Sequence, residues 1–297
     1  MEDALKSYLS ETIAQVDTHL DALLPREEVA PAKIHEAMRY SVFAGGKRLR
    51  PVLCMAACES VGGEAKLALT PACATEILHT YSLIHDDLPC MDDDDYRRGR
   101  LTNHKVFGEA VAVLAGDALL NESFRWLADF QPQETRFSAI DFVKSLAEAG
   151  GSRALIGGQV MDMEHEGLGN SVSYEALVAT HKGKTGALLT SAIEMGGMAG
   201  NATDAEMKAL RVFGENLGLA FQVIDDILDV TQSSEALGKT AGKDEAVNKA
   251  TYPALLGVEG AQAVAAELTE KALSAVAELE NSSRLVMLAE YLLRRQS

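Results

Sequence analysis

The chain of 297 residues carries a formal net charge of −17, which argues against nucleic acid as a partner, because nucleic-acid binding requires a basic face. The same charge argues against binding to an anionic membrane surface. Hydrophobic residues make up 47% of the sequence and aromatic residues only 5%, a composition that supports a large core and favours helices over sheets.

Apolar residues recur with helical spacing along almost the whole chain. Proline and glycine interrupt the pattern, for instance at Pro25 and at Gly45-Gly46, and mark where helices end. Alternation with a period of two is almost absent, so strands should be rare. The pattern predicts helices at 1–24, 32–43, 50–60, 69–88, 108–129, 135–150, 152–165, 173–181, 184–199, 203–216, 218–231, 260–280 and 283–295.

These predicted helices imply an all-α protein. No linker rich in proline, glycine or serine divides the sequence, so we expect a single domain over residues 1–297. Several of the helices are apolar around most of their circumference. Such helices must be buried on all sides or lie in a subunit interface.

The amino-terminal sequence and the cysteines predict a soluble protein of the cytoplasm. Residues 1–6 are acidic and lack the apolar region of a signal peptide, and no apolar run reaches the length of a membrane span. Cys54, Cys58, Cys73 and Cys90 have no histidine or cysteine partners at the spacing of zinc ligands. We therefore expect buried free thiols in a reducing compartment.

Two clusters of aspartate carry the functional argument. The first extends from Asp86 to Asp95, and the second occupies residues 225–229. Carboxylates packed this closely repel one another unless a cation lies between them. Ligand sets made only of oxygen suit Mg²⁺, which usually keeps its remaining positions for water and substrate phosphates. Two such clusters suggest one diphosphate held from both sides.

The second cluster lies on a predicted helix. Asp229 lies four residues after Asp225 and three after Asp226, and Gln222 lies one turn earlier, so all four share one helix face. The residues around them are too apolar for an acidic face exposed to solvent. We therefore favour a face that binds metal.

The helix that carries the first cluster should end near Leu88. Pro89 lacks a backbone N–H and crowds the preceding turn. We therefore expect Asp92 to return over the end of the helix and to share a cation with Asp86. Residues 94–95 are interpreted as an acidic turn without a ligand role.

Basic residues lie close to both clusters in the sequence. Arg97-Arg98 directly follows the first cluster, and segments 45–51 and 238–253 add further cations. Beside a metal-bound diphosphate, arginines would be bidentate clamps on phosphate oxygens; elsewhere they would only balance charge. Segment 45–51 is not a Walker-type nucleotide loop, because Arg48 stands where serine or threonine is required.

Two further motifs lie between the clusters. Lys184 and Thr185 begin an apolar helix, and a second lysine, Lys182, precedes them. A helix-capping role for Thr185 is an alternative to a role in the reaction. Gln159 and Asp162 share one face of their predicted helix, where neighbouring glycines allow close approach of another helix.

This ordered set of motifs resembles the trans-isoprenyl diphosphate synthases, most closely the farnesyl diphosphate synthases of bacterial type. The matching segments follow the family order through most of the chain, which makes the set far more specific than any one motif. They are GGKRLRP (45–51), HTYSLIHDDLPCMDDDDYRRG (79–99), GGQVMD (157–162), KTGALL (184–189), LAFQVIDDILDV (219–230), and GKTAGKD with KATYPALLG within 238–257.

The resemblance implies a large helical bundle around a deep central cavity, the isoprenoid synthase fold, assembled as a homodimer. It implies that Asp86, Asp92 and Asp225 hold three Mg²⁺ ions on an allylic diphosphate, with Mn²⁺ as an alternative metal. Asp226 and Asp229 would lie near the same ions.

The resemblance also implies roles for residues that contact the substrates. Those that would hold the allylic diphosphate are Arg97, Lys184 and Lys239. Those that would hold isopentenyl diphosphate are Lys47, Arg50, His79 and Arg98. Those that would turn oxygen dipoles toward the allylic carbocation are Thr185 and Gln222. We align Lys184 rather than Lys182 with the family motif because Lys184 directly precedes Thr185.

Product length depends on the shape of the pocket below Asp86. His79, Ser82, Leu83 and Asp86 follow helical spacing and share a face, with Ser82 one turn, roughly 6 Å, before Asp86. Tyr81 is rotated away from this face, so its role comes from the resemblance, which implies that an aromatic residue there forms the floor of the pocket. We therefore expect the fifteen-carbon farnesyl diphosphate as the product.

Four alternatives remain. A geranylgeranyl diphosphate synthase is the nearest, and Tyr81 argues against it without excluding it. A terpene cyclase would usually carry a different second metal motif. A metal phosphohydrolase built on His85-Asp86 would need more histidines nearby than the sequence provides. A non-catalytic acidic scaffold would have no use for cations beside both clusters.

Overall fold

The computed structural model describes residues 2–231 and 250–293, and helices dominate these ranges. The helices are α1 (Glu2–Leu23), α2 (Ala32–Val42), α3 (Leu49–Ser60), α4 (Leu69–Asp86), α5 (Asn103–Phe107), α6 (Glu109–Asp129), α7 (Ala139–Gly150), α8 (Leu155–His165), α9 (Tyr174–His181), α10 (Ala187–Ala199), α11 (Asp204–Thr231), α12 (Tyr252–Ala275) and α13 (Ser283–Leu293). A π-helical turn, Lys182–Gly186, joins α9 to α10. The prediction of an all-α protein is confirmed.

The strands of the described ranges form one short antiparallel hairpin. Its members, β1 (Tyr96–Arg97) and β2 (Arg100–Leu101), follow the first aspartate cluster. Two short 3₁₀ turns, Ala65–Ala68 and Gly169–Ser171, complete the regular structure. No helix in the described part of the chain combines the length and apolarity needed to cross a membrane.

Several predicted boundaries are shifted by a few residues, as in α7, which begins at Ala139 rather than at residue 135, and two predictions are wrong by more. The helices expected at 203–216 and 218–231 are one helix, α11. Gly218 does not break it; a methyl group there would lie 2.9 Å from the Cα atom of Gly186, so this glycine permits close packing. Helix α12 begins at Tyr252 rather than at residue 260, and Gly257, with φ of 72°, kinks it.

Helices α3 and α10 lie between two buried apolar clusters. One face of α3 contributes Cys54 and Cys58 to the first cluster, and the opposite face contributes Leu53 and Ala57 to the second. Helix α10 likewise contributes residues to both clusters. This position explains why both helices are apolar around most of their circumference.

The cysteines are free, as expected, but they are not all buried. Cys54, Cys58 and Cys73 lie in the core, whereas Cys90 is exposed in the loop that follows α4. The expectation of a buried thiol is therefore wrong at Cys90, because the chain leaves the helix before this residue.

A buried ion pair fixes the turn that leads into α3. Arg48 has a left-handed backbone conformation with φ of 47°, and its guanidinium donates to Glu76 Oε1 at 2.9 Å, to Asp17 Oδ1 at 2.9 Å and to the Val42 carbonyl at 2.7 Å. The side chains of Arg48 and Glu76 are each 2% exposed. Removing one partner of such a pair leaves an uncompensated charge in the core.

Replacement of Glu76 by alanine is therefore expected to lower the free energy of unfolding by about 3–5 kcal/mol, measured by urea denaturation. Glu64→Ala is the matched control, because Glu64 loses only an exposed ion pair with Lys66, and such pairs contribute little to stability. Equal denaturation midpoints for the two variants would show that the buried pair does not stabilise this turn.

Candidate active site

The first aspartate cluster surrounds the carboxyl end of α4. The helix ends at Asp86, and the chain then turns back, so that the Asp92 N–H donates to the Asp86 carbonyl at 2.8 Å and the Asp93 N–H to the Leu88 carbonyl at 3.1 Å. The structure thus contains the return of Asp92 that Pro89 predicts. It brings two acidic residues to the same helix end.

The electrostatic surroundings of Asp86 favour a bound cation. Burial raises the pKa of Asp86 to about 6, the charge of Lys184 opposes this shift, and the neighbouring Asp92 carboxylate adds to it. A carboxylate that is costly to ionise gains from a cation placed beside it. The donors are carboxylate oxygens, which are the ligands that Mg²⁺ prefers, so these residues fit the metal implied by the sequence.

A cavity of about 380 Å³ opens below Asp86. The face of α4 that carries His79, Ser82, Leu83 and Asp86 forms part of its wall. Tyr81 also lines the cavity, although regular helix geometry places it on a different face from Asp86. Tyr81 is buried, with its ring edge-on to His85 at a centroid distance of 5.5 Å. The cavity is lined by Arg50, His79, Tyr81, Ser82, Leu83, His85, Asp86, Met91, Leu155, Ile156, Gln159, Val160, Met163, Lys184 and Thr185.

A group of basic residues from α3 and α4 lines this cavity. The Arg50 Nε atom is buried without a hydrogen-bond partner among the described residues, and burial lowers the pKa of Arg50 to about 10 while Glu76 opposes the shift. Burial, followed by the charges of Arg50 and Arg98, holds the pKa of His79 well below its usual value. The side chains of Arg50 and His79 thus line the same cavity as Asp86 and Lys184.

Two motifs that are distant in sequence meet beside this group. The Arg98 guanidinium donates to the Gly45 carbonyl, and a methyl group at Gly46 would collide with that guanidinium. The glycines of segment 45–51 therefore allow Arg98 to reach the turn that carries Lys47. Lys47 itself is exposed.

Arg97 is engaged by acidic neighbours. Its Nε and Nη2 atoms donate to Asp87 Oδ1 at 2.7 Å and 2.5 Å, and Nη2 lies 3.7 Å from Asp94 Oδ2. This pairing holds the guanidinium at the end of α4. Any diphosphate bound there would compete with these carboxylates for the arginine.

The π-helical turn separates the two lysines of the third motif. Lys184 and Thr185 line the cavity, whereas Lys182 lines a different groove of about 570 Å³ between α7, α10 and α11. Lys184 Nζ donates to Asp162 Oδ2 at 2.6 Å. Thr185 lies inside a continuous helical run and is not an N-cap, so the capping alternative is wrong.

Two glycines allow the π turn to approach its neighbours. A methyl group at Gly158 on α8 would collide with the Lys184 backbone nitrogen, and Gly218 on α11 lies against Gly186 on the other side. The turn is therefore held between α8 and α11. This packing places Lys184 next to Asp162 and orients it toward the cavity.

The second aspartate cluster lies near the carboxyl end of α11. Asp226 and Asp229 are buried, while Asp225 and Gln222 are partly exposed on the same helix. Asp226 Oδ2 accepts a hydrogen bond from the Tyr252 N–H at 3.0 Å. Lys239 lies outside the described residues.

Within residues 2–231 and 250–293, no three or more carboxylate, histidine or cysteine side chains form a group that could hold a metal ion. The metal-binding roles of both clusters therefore stay predictions. The structure brings Asp86 together with Lys184, Arg50 and His79 in one cavity, with Asp92 beside Asp86, and the second cluster lies on α11 in contact with the start of α12.

Sequence reasoning gave no role to two residues that the structure ties to this site. Glu76 is a buried carboxylate that pairs with Arg48 and attracts Arg50, and its only signal was an acidic residue inside the apolar run 71–78. Tyr252 contacts the second cluster through its backbone, which no side-chain pattern reveals.

Comparison with known proteins identifies the family. The model of the polyprenyl synthetase family matches residues 31–287. The chain belongs to the polyprenyl synthetase family. Members of this family are trans-isoprenyl diphosphate synthases, and the protein is accordingly a prenyltransferase with the all-α isoprenoid synthase fold.

Individual relatives agree with this assignment. A chloroplastic geranylgeranyl pyrophosphate synthase of Capsicum annuum is 49% identical over 98% of this chain and 79% of its own length. The crystal structure of a geranylgeranyl pyrophosphate synthetase from Pyrococcus horikoshii matches with a TM-score of 0.90 and 30% identity over 99% of both chains. An FPP/GFPP synthase from Zymomonas mobilis matches with a TM-score of 0.87 and 33% identity over 99% of this chain and 100% of that one.

These relatives do not confirm the predicted farnesyl product. Most of the similar plant proteins are named geranylgeranyl pyrophosphate synthases, which favours the nearest alternative from the sequence. Membership of the family supports prenyl transfer as the reaction, but it does not determine the chain length of the product.

Proposed function

We propose that this prenyltransferase condenses isopentenyl diphosphate with an allylic diphosphate and forms geranylgeranyl diphosphate. The observation that carries the proposal is one cavity that joins a carboxylate, Asp86, and the cations Lys184 and Arg50 to an apolar wall from α8. A diphosphate would bind at the charged end and a prenyl tail along the wall. The names of the plant relatives support the twenty-carbon product.

The aspartates would hold the metal. In this proposal Asp86, Asp92 and Asp225 bind three Mg²⁺ ions, with Mn²⁺ as an alternative, and Asp226 and Asp229 lie nearby. Bound Mg²⁺ would neutralise the charge that builds up on the leaving diphosphate as the allylic C–O bond ionises.

The remaining residues would hold the substrates and protect the carbocation. Lys184 donates to the allylic diphosphate together with Arg97 and Lys239, and preorganised cations of this kind stabilise the charge of the transition state. Isopentenyl diphosphate binds Lys47, Arg50, His79 and Arg98. Thr185 and Gln222 turn oxygen dipoles toward the carbocation, and the apolar wall excludes water that would quench it.

A second candidate product is farnesyl diphosphate, and Tyr81 favours it. The Tyr81 ring is buried in the cavity wall beside His85, less than two helical turns from Asp86. A ring at this depth would stop a growing chain early. Both products arise from the same reaction, so the position of the floor decides between them.

Tyr81→Ala is expected to shift the products toward longer chains, because removal of the ring deepens the cavity. Product chain lengths after dephosphorylation are measured by chromatography and mass spectrometry. Tyr96→Ala is the control, since Tyr96 is an exposed tyrosine in β1, outside the cavity. An unchanged product distribution in Tyr81→Ala would remove Tyr81 as the floor.

Incubation of the protein with Mg²⁺, isopentenyl diphosphate and geranyl diphosphate tests the proposal. A twenty-carbon product supports the main proposal, and a fifteen-carbon product supports the second candidate. Release of free phosphate without elongation would instead indicate a phosphohydrolase, and a cyclic hydrocarbon would indicate a terpene cyclase. Either of these last results contradicts the proposed condensation.

We further propose a homodimer. Exposed apolar side chains on α6 support it, namely Val113 and Leu114, which lie outside the cavity lining, and a second copy of the chain would cover such a surface. A monodisperse monomer in analytical ultracentrifugation at assay concentration contradicts the dimer. The cytoplasmic location stays a prediction, and the Capsicum relative is named as chloroplastic.

A further inference from the structure

Tyr252 joins two parts of the candidate active site that are remote in sequence. It is the first residue of α12, and its backbone N–H donates to Asp226 Oδ2 at 3.0 Å. The preceding residue, Thr251, caps the helix by accepting from the Ala254 N–H at 3.3 Å. The Asp226 carboxylate thus lies at a helix N-terminus, where negative charge is stabilised.

The side chain of Tyr252 points to the other part of the site. The residue is 0% exposed, and its ring centroid lies 5.5 Å from that of His181 and 5.9 Å from that of Tyr174. His181 is the last residue of α9, directly before the π turn. The Tyr252 ring therefore packs against the base of the turn that carries Lys184 and Thr185.

The ring and the backbone of Tyr252, rather than its hydroxyl, make these contacts. The Oη atom is buried and has no hydrogen-bond partner among residues 2–231 and 250–293. Burial of an unpartnered hydroxyl does not stabilise a protein. The hydroxyl can therefore be removed without loss of either contact.

We propose that Tyr252 is a positioning residue, which fixes the second aspartate cluster relative to Lys184 and Thr185 for ionisation of the allylic substrate. The proposal rests on the proposed function, because it assigns both groups to that step. It predicts that the ring acts on kcat and not on the binding of isopentenyl diphosphate, because the proposed ligands Arg50 and His79 are carried by α3 and α4 and not by the elements that Tyr252 contacts.

Two substitutions of Tyr252 separate the ring from the hydroxyl. Tyr252→Phe keeps the ring and is expected to retain kcat and the melting temperature of the metal-free protein. Tyr252→Leu loses the ring and is expected to lower kcat by about 10- to 100-fold, the usual effect of a small displacement in an active site, with an unchanged KM for isopentenyl diphosphate. Wild-type kcat in a folded Tyr252→Leu protein would overturn the proposal.

Phe142→Leu is the matched control for the loss of a buried ring. Phe142 is fully buried in an edge-to-face pair with Phe130 at 5.3 Å, and it lies in the other apolar cluster. This variant should lower the melting temperature and leave kcat unchanged. A fall in kcat equal to that of Tyr252→Leu would mean that general destabilisation, not positioning, explains the effect, and would overturn the proposal.

A double-mutant cycle that combines Tyr252→Leu with His181→Leu tests the ring contact itself. If Tyr252→Leu does not fold, the kcat of the single variant His181→Leu tests the contact instead. If Tyr252 acts through His181, the losses in kcat should not add, because both substitutions remove the same contact. Additive losses, or wild-type kcat in His181→Leu, overturn the proposal. Absence of condensation by the wild-type protein would instead count against the proposed function, so the two failures are distinguishable.

Discussion

Asp86→Asn is expected to lower kcat of the condensation by about 10²–10³-fold, the effect of removing one group that stabilises transition-state charge. The substitution keeps the shape of the side chain but removes the negative charge that would hold Mg²⁺. The concentration of Mg²⁺ needed for half-maximal activity should rise as well. Steady-state kinetics over a Mg²⁺ titration measures both quantities.

Asp95→Asn is the control for this prediction. Asp95 belongs to the same acidic run but is exposed and pairs with Lys105 at 2.7 Å, and the sequence predicts no ligand role for it. This variant should keep the kcat and Mg²⁺ dependence of the wild-type protein. Equal losses in Asp86→Asn and Asp95→Asn would mean that the acidic run acts only through its total charge.

Lys184→Gln is expected to lower kcat by about 10²-fold or more, because a cation aimed at the leaving group would be lost. The structure supplies a matched control two residues away. Lys182→Gln removes the same charge from the same π turn, but Lys182 faces the groove between α7, α10 and α11. Lys182→Gln should leave kcat unchanged.

The comparison of these two lysine variants decides which lysine serves the reaction. Kinetics with geranyl diphosphate as the varied substrate measure both. A larger loss in Lys182→Gln would reverse the assignment. A loss in Lys184→Gln confined to the melting temperature would reduce Lys184 to a structural partner of Asp162.

The sequence predicts the helical class well, because burial leaves a direct record in the pattern of apolar residues. Helices α3 and α10 are apolar around most of their circumference, and they lie between two cores. The return of Asp92 was predictable for a similar reason, since Pro89 forbids a regular helix at a known position.

Predictions that depend on tertiary contacts failed. Gly218 has the local character of a helix break, yet it lies inside α11 because Gly186 packs against it. The start of α12 at Tyr252 was missed for a local reason, since Pro253 lies in the first turn of the helix, where proline is well tolerated.

In the candidate site, too, the positions of some residues were predictable from the sequence and those of others were not. Asp86 and His79 were predictable because they share one face of one helix. The opposite orientations of Lys182 and Lys184 were not, since a π turn between α9 and α10 sets them. The role of Tyr252 depends on a backbone N–H, which every residue except proline carries, so no residue type signals it.

The most direct test of the central claim is a crystal structure of the protein with Mg²⁺ and inorganic diphosphate. The claim predicts that carboxylate oxygens of Asp86 and Asp225 coordinate ions bound to the same diphosphate, with Lys184 Nζ within hydrogen-bond distance of it. A diphosphate bound elsewhere, or an Asp225 carboxylate that faces a different surface from Asp86, would contradict the claim.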